Sequence, residues 1–404
     1  MHLLILHQNF VDHRHPGGTR HLELSKLLVE KGHRVTVVTD NLDYLTGNPI
    51  DGPRAETIAG VDVIRSYAYP SLHRNLIWRV ISYLSFMFTS MWSALSVRKV
   101  DVVMGTSPPL FQLPSAWIIA RIKRTPFILE VRDLWPEFAV DMGVLTSPSI
   151  IWLARAAEMF FYRRADHFIV NSPAYKDYLL EKGMPAEIIS VVANGVDVSM
   201  FDPDATGQSV RDELGLGENF VVTYAGALGH ANDIQTILKA AQRFDSHSDV
   251  RFVLIGGGKE QDKLAQAARD WGLEHVVFAG SYPKERMCNV LAASNACVAT
   301  LMNIPMFKTT YPNKVFDYMA AGRPTILGID GVIRDVIEDS EGGVCVTPGD
   351  SEALANAVDF LRNHPEKAIS MGRSARRYVA KHFDRRDQAT KLEQVLKQVL
   401  RQAA

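Results

Sequence analysis

Cysteine is scarce in this sequence: 404 residues hold only Cys288, Cys297 and Cys345, far apart and with no CxxC pair. That excludes a disulfide framework and a zinc site, and it fits a reducing, cytoplasmic setting. A surplus of one charge is also missing. The formal net charge is −1, so no global positive field draws the chain onto nucleic acid, and no nucleic-acid partner is expected. The N-terminus, MHLLILHQNF, lacks a basic start, a long apolar stretch and a small-residue cleavage site. It reads as a first buried strand and not as a secretory signal. The GxGxxG fingerprint is absent, which removes a dehydrogenase with two dinucleotide folds. One metal-like triplet, Asp202-Pro203-Asp204, lies in a stretch rich in Gly, Asp and Pro and reads as structural, and no His/Asp/Glu cluster calls for a metal.

What is present is a globular composition, 47% hydrophobic against 22% charged, too apolar for disorder and too long for one ordinary core. Short apolar runs alternate with amphipathic segments: HLLILH, then HLELSKLLVEKGH, then RVTVVTD, later VDVVMG, PFILEV and HFIVNS. Strand followed by helix, repeated, implies a parallel sheet covered on both faces. After Asn194-Gly195-Val196-Asp197 the pattern restarts with FVVTYAG, VRFVLIGGG, HVVFAG, ACVATL, PTILGI and GVCVTP. Two open α/β sheets facing a central ligand cleft are therefore expected. The predicted domains are residues 1–195, residues 196–380, and a C-terminal helix over 381–404 that packs back on the first domain.

Residues Leu76 to Val97 form an apolar, aromatic-rich stretch containing Arg79 and several serines. A spanning helix would break the first sheet, because the stretch lies between two strand signals. A buried helix or hairpin fits, and so does an interfacial helix setting Trp78, Tyr83, Phe86, Phe88 and Trp92 at headgroup depth. Residues 149–166, SIIWLARAAEMFFYRRAD, repeat this character. Together they suggest peripheral contact with an inner-membrane surface.

Several motifs bear on chemistry. Gly17 and Gly18 precede a helix start, where free N–H groups and the helix dipole suit a diphosphate; a Gly-Gly pair that only ends a strand reads the same way. In TTYPNKVFDYMAAGRPTILGIDG, Pro312 and Asn313 open a helix carrying Lys314 in its first turn and Asp317 at i+3, a cation and a carboxylate side by side. Lysine there can neutralise a diphosphate, and a short carboxylate can accept both hydroxyls of a ribose. Asp133, just after PFILEV, sits where open sheets place ligand contacts, and it also suits an N-cap. Tyr282 in GSYPKERM suits either base stacking or a solvated turn, and Gly256 in the GGG of 256–258 either a phosphate contact or a strand exit.

YPNKVFDYMAAGRP resembles the donor motif of retaining glycosyltransferases of family 4, with the GT-B fold. PGGTRHLELSKLLVEKGHRVTVVT, VRDLWPE, NSPAYKDYL, NGVDVSMF, TYAGALGH and VVFAGSYPKERM agree in order and spacing, so the resemblance covers nearly the whole chain. It points to bacterial surface-polysaccharide (O-antigen or capsule) members resembling N-acetylfucosaminyl transferases. The resemblance implies two Rossmann-like domains and transfer, with retention, from a UDP-sugar to a lipid-linked (polyprenyl diphosphate) saccharide, with no metal and no other cofactor. It implies a donor site of Gly17, Gly18, Gly226, His230, Gly256, Tyr282, Asn313, Lys314, Val315 and Asp317. The acceptor side it implies comprises His15, Arg20, Arg132 and Asp133, with Asp133 and Lys314 catalytic. Asp317 matches the glutamate that holds the donor ribose, Thr309 stands where relatives carry a further glutamate, and Ala227 and Asn232 stand where they carry Arg and Lys. Cationic charge on the diphosphate is then expected from Lys314, Arg323, His230 and the Gly17–Gly18 helix start. Other readings are a nucleotide-sugar epimerase on the same fold and a catalytically silent membrane-associated partner.

Overall fold

All five residues from His2 to Leu6 are buried, and similar short runs of branched and aliphatic residues recur along the chain. Such runs satisfy a parallel sheet sandwiched between helices. The computed structural model describes residues 1–12, 17–43, 47–71, 76–245 and 248–403. Its internal contacts divide the chain into two compact units, one of residues 1–12, 17–193 and from 386 onwards, the other of residues 194–385.

The strands of the first unit are β1 (His2–Leu6), β2 (Arg34–Asp40), β3 (Ala55–Ile58), β4 (Val61–Ser66), β5 (Val102–Ser107), β6 (Phe127–Val131), β7 (His167–Val170) and β8 (Ile189–Val191). They form one sheet in the order β3-β4-β2-β1-β5-β6-β7-β8, parallel apart from the antiparallel β3–β4 pair at one edge. In the central register Ile5 lies between Val37 and Met104. One core gathers Leu3, Ile5, Val37 and Ile128 with Leu24 and Leu28 of the Arg20–Glu30 helix and Ala389, Leu392, Leu396 and Val399 of the Arg385–Ala403 helix. The spacing of those last four is that of one helical stripe, so the C-terminal helix completes the first unit.

In the second unit β9 (Phe220–Ala225), β10 (Val250–Ile255), β11 (Val276–Gly280), β12 (Ala296–Thr300), β13 (Thr325–Gly328) and β14 (Gly343–Cys345) form an all-parallel sheet. The order is β11-β10-β9-β12-β13-β14. β9, at an inner position beside β12, is the first strand in sequence, so the order reverses there, where open α/β sheets hold ligands at their carboxyl ends.

The aromatic stretch of the first unit is a single helix, Leu76–Ser96. Its small polar side faces inward: Ser82, Phe86, Ser90, Ser93 and Ala94 are buried, and Ser66 Oγ donates to Ser93 Oγ at 2.8 Å. The opposite side exposes Ile77, Trp78, Ile81, Phe88 and Trp92. Phe86 and Tyr83, expected at headgroup depth, are excluded from that face, since Phe86 is fully buried and Tyr83 stacks on Phe111 with centroids 5.5 Å apart. The Pro148–Tyr162 helix adds exposed Ile150, Trp152, Leu153 and Phe160. Among the described residues, no helix is long and apolar enough to cross a membrane.

Candidate active site

In the second unit the candidate site begins with the Asn313–Ala320 helix, whose N-cap is Pro312. Val315, Phe316, Tyr318, Met319 and Ala320 are buried, and the Tyr318 hydroxyl both accepts from Ala225 N at 2.8 Å and donates to Ala225 O at 3.1 Å. That fastens the helix to the end of β9 and turns Lys314 and Asp317 away from the core. Lys314 Nζ donates to Tyr224 Oη at 2.8 Å and Asn232 Oδ1 at 2.7 Å, and lies 4.4 Å from the centre of the Tyr224 ring. The Tyr224 hydroxyl in turn donates to Ala227 O at 2.8 Å.

Both partners of the ammonium are neutral, and among the described residues no carboxylate pairs with it. Burial lowers its pKa to about 7, because a desolvated ammonium without a counter-charge releases its proton readily. A cation held this way at a helix start is suited to an anionic ligand.

Asp317, which the sequence set beside Lys314 on one helix face, makes no ion pair with it among the described residues. Its Oδ2 accepts from Lys284 Nζ at 2.6 Å, and the two side chains are only 17% and 13% exposed. Both residues are half-buried on one side of the helix, and strand β9 and the neighbouring loops supply their partners. Val315 contributes to the core, and its N–H is taken by the Pro312 carbonyl at 3.1 Å. Asn313 is exposed at the helix start.

The glycines of the β9 and β10 exits serve packing. At Gly256, where φ is +133°, an added Cβ would lie 1.9 Å from the Gly226 carbonyl oxygen. An added Cβ at Gly226 would lie 3.1 Å from Lys314 Nζ, so Gly226 borders the ammonium while Gly256 brings the two loops together. Tyr282 does not offer a stacking face: it is buried, donates to Glu213 Oε1 at 2.7 Å and lies under Arg286, 4.7 Å from ring centre to guanidinium. Arg323 is likewise removed from the charge expected at the diphosphate. It follows the C-terminus of a helix about 12 Å long, beyond the end that carries Lys314, and it donates to Ala292 O at 2.9 Å. His230 is exposed, with Nδ1 3.5 Å from Glu260 Oε1.

In the first unit the carboxyl ends of β1, β5 and β6 converge on a buried polar cluster. Glu130 accepts from both Arg20 and His21, the latter at 2.5 Å, while Arg20 also donates to the carbonyls of Val192 and Ala193 at 2.7 Å. Burial alone would raise the Glu130 pKa, but His21, Arg20 and Arg132 hold it well below the usual carboxylate range. Arg20 is thus consumed inside the unit, 4% exposed, and does not face an acceptor. His7 stacks on His21 with centroids 4.0 Å apart, and Arg132 Nη1 approaches its Nε2 to 3.1 Å. Burial and these two neighbours keep His7 neutral.

Asp133 comes immediately after Arg132 in the chain. Burial raises its pKa to about 6, against the opposing pull of Arg132 and a hydrogen bond from Tyr175. It can therefore take up or release a proton near neutrality. Gly17 and Gly18 are exposed before the Arg20–Glu30 helix, whose first turn carries Glu23, bonded to Thr19 Oγ1. His15 lies outside the described residues.

Tyr224, Lys284, His7, His21 and Glu130 were not legible as site residues in the sequence, and Asn232 showed only as standing where relatives of the family carry Lys. Of the former, only Glu130 left a signal, as an acid within the apolar strand PFILEV.

Residues 17–195 match the model of a glycosyl transferase 4-like domain, and residues 219–364 that of glycosyl transferases group 1. The chain is a GT-B glycosyltransferase. Among the relatives of this transferase is the putative colanic acid biosynthesis glycosyl transferase WcaI of Escherichia coli K12, 22% identical over 351 residues, 83% of this chain and 86% of the relative. Solved structures similar to the transferase include Anabaena HepE in complex with UDP and glucose, with a TM-score of 0.75 at 20% identity, covering 98% of this chain and 99% of the other. Sucrose-phosphate synthase of Thermosynechococcus elongatus superposes with a TM-score of 0.81 at 19% identity, covering 99% of each chain. At these identities the structural likeness speaks for the fold.

Proposed function

We propose that this transferase moves a sugar from a UDP-sugar to a hydroxyl of a lipid-linked saccharide, with retention, during surface-polysaccharide synthesis. The observation that carries the donor half is Lys314, an ammonium held by a phenol and an amide with no counter-charge among the described residues, one turn from a carboxylate suited to a ribose. Anabaena HepE, a fold relative, binds UDP and glucose, and WcaI is named for colanic acid biosynthesis. In this reading Lys314 stabilises the departing diphosphate in place of a metal. Asp133, titrating near pH 6, orients or deprotonates the acceptor hydroxyl.

Support for a lipid-linked acceptor comes from the first unit. Trp92 and Trp152, 70% and 71% exposed, stand on two helices that both contact the Leu113–Lys123 helix, which exposes Ile122. Interfacial tryptophan and aliphatic side chains of this kind favour headgroup depth, so the protein docks on the cytoplasmic face of the inner membrane in this proposal.

The test is incubation of the purified chain with UDP-, GDP- and dTDP-sugars, with and without a detergent-solubilised polyprenyl diphosphate saccharide, read by mass spectrometry. Sugar addition that needs both reactants is expected, with the anomeric proton coupling reporting retention. Conversion of the donor to an epimer without acceptor would sink the proposal.

A further inference from the structure

The Lys284–Asp317 contact joins two segments that are each already fastened elsewhere. The loop after β11 is tied down by Tyr282 and Arg286, which bond the two oxygens of Glu213 at 2.7 and 2.6 Å. The Asn313–Ala320 helix is tied to β9 by Tyr318. A further bond between loop and helix adds little to the placement of either backbone, so its main effect falls on the side chains that make it.

Lys284 has little room to go elsewhere. Its Nζ lies 2.6 Å from Asp317 Oδ2 and 5.6 Å from the centre of the Phe201 ring, which is 2% exposed. A 2.6 Å charge-assisted bond between side chains largely withdrawn from water is strong and directional, unlike an exposed ion pair.

We infer that Lys284 is a positioning residue for donor selection: it locks the Asp317 carboxylate in the orientation that receives the ribose diol of a nucleoside diphosphate. The inference rests on the donor reading above. An ionised carboxylate offers about four acceptor sites, and a ribose diol needs two of them. Lys314, three residues earlier on the same helix, stands at about the 5–6 Å that separates neighbouring side chains on one helix face, a spacing that fits the step from a ribose to its phosphates. Lys284 also offsets the negative charge of Asp317, which would otherwise repel the diphosphate.

The experiment compares binding of UDP and 2′,3′-dideoxy-UDP to the full chain by calorimetry, in wild type, Lys284→Met, Lys284→Arg and Asp317→Ala, with thermal melting as the control for folding. Wild type is expected to prefer UDP by about 10- to 100-fold, the range for hydrogen bonds to a charged group. Lys284→Met collapses that ratio towards the Asp317→Ala value, and Lys284→Arg restores most of it. A Lys284→Met protein that loses affinity for both ligands equally and keeps the wild-type ratio overturns the inference, because the lysine would then touch phosphate or only staple the loop. Wild type that does not separate the two ligands overturns the ribose role of Asp317 itself and this inference with it.

Discussion

Replacing Lys314 by Met removes the ammonium while keeping a flexible side chain of similar length between Tyr224 and Asn232. With a pKa of about 7 in the free protein, roughly one molecule in ten carries the charge at pH 8. A bound diphosphate favours the charged form, so binding a UDP-sugar at pH 8 takes up about 0.9 of a proton, and at pH 6 only about 0.1. Affinity is accordingly greatest below pH about 7 and falls by roughly tenfold per pH unit above it. In the unliganded protein the same depressed pKa means that the unfolded chain binds more protons between about 7 and 10.5. Stability therefore rises with pH across that window, and the Met variant lacks the rise. Calorimetry in buffers of differing ionisation enthalpy measures the uptake, since the diphosphate of a sugar nucleotide titrates no proton near neutrality. The Met variant should show no uptake and lose about 10²- to 10³-fold in turnover, as when one preorganised donor is removed from a developing anion. Wild-type binding at pH 8 without proton uptake, or near-normal turnover by the variant, would refute the reasoning.

Three further outcomes are expected. Wild-type turnover falls on the acid side with a midpoint near the Asp133 pKa of about 6, and Asp133→Asn abolishes that limb and lowers kcat by about 10²- to 10⁴-fold; an unchanged pH profile in the variant argues against Asp133. Gly256→Ala forces a Cβ to 1.9 Å from the Gly226 oxygen at a φ of +133°, so urea unfolding should show a loss on the order of 3 kcal/mol; a loss within error means that the two loops part without cost. Trp92→Ser with Trp152→Ser leaves stability within about 1 kcal/mol, because both rings are exposed, yet reduces co-sedimentation with anionic vesicles. Undiminished sedimentation removes the membrane-docking reading.

Much of the fold was legible in the sequence, and the site was legible only in part. The apolar runs HLLILH, RVTVVTD, FVVTYAG and VRFVLIGGG carry the parallel α/β class on their face, because strands covered on both sides must be apolar throughout. YPNKVFDY shows Pro312 opening a helix with Lys314 and Asp317 on one side. The partner of each did not show: helical spacing placed them side by side on one face, and only the fold brings Lys314 to Tyr224 and Asn232, and Asp317 to Lys284. Arg20 looked like a ligand-facing cation beside a glycine loop and proved to be fixed by Glu130, 110 positions along the chain. The Leu76–Ser96 helix was ambiguous for the same reason, since its composition does not reveal that the serine side, matched by Ser66, faces inward.

The sequence by itself determined the features that a residue and its near neighbours set between them: strand and helix periods, helix starts, and which side chains share a helical face. Only the tertiary structure decided which charges meet, how far Lys314 is withdrawn from water, and that Asp133 titrates near neutrality. Those properties arise from groups tens of residues apart that meet at the carboxyl ends of parallel strands. Local periodicity carries no record of such meetings, because the energies of burial and of charge pairing depend on distance in space and not on separation along the chain.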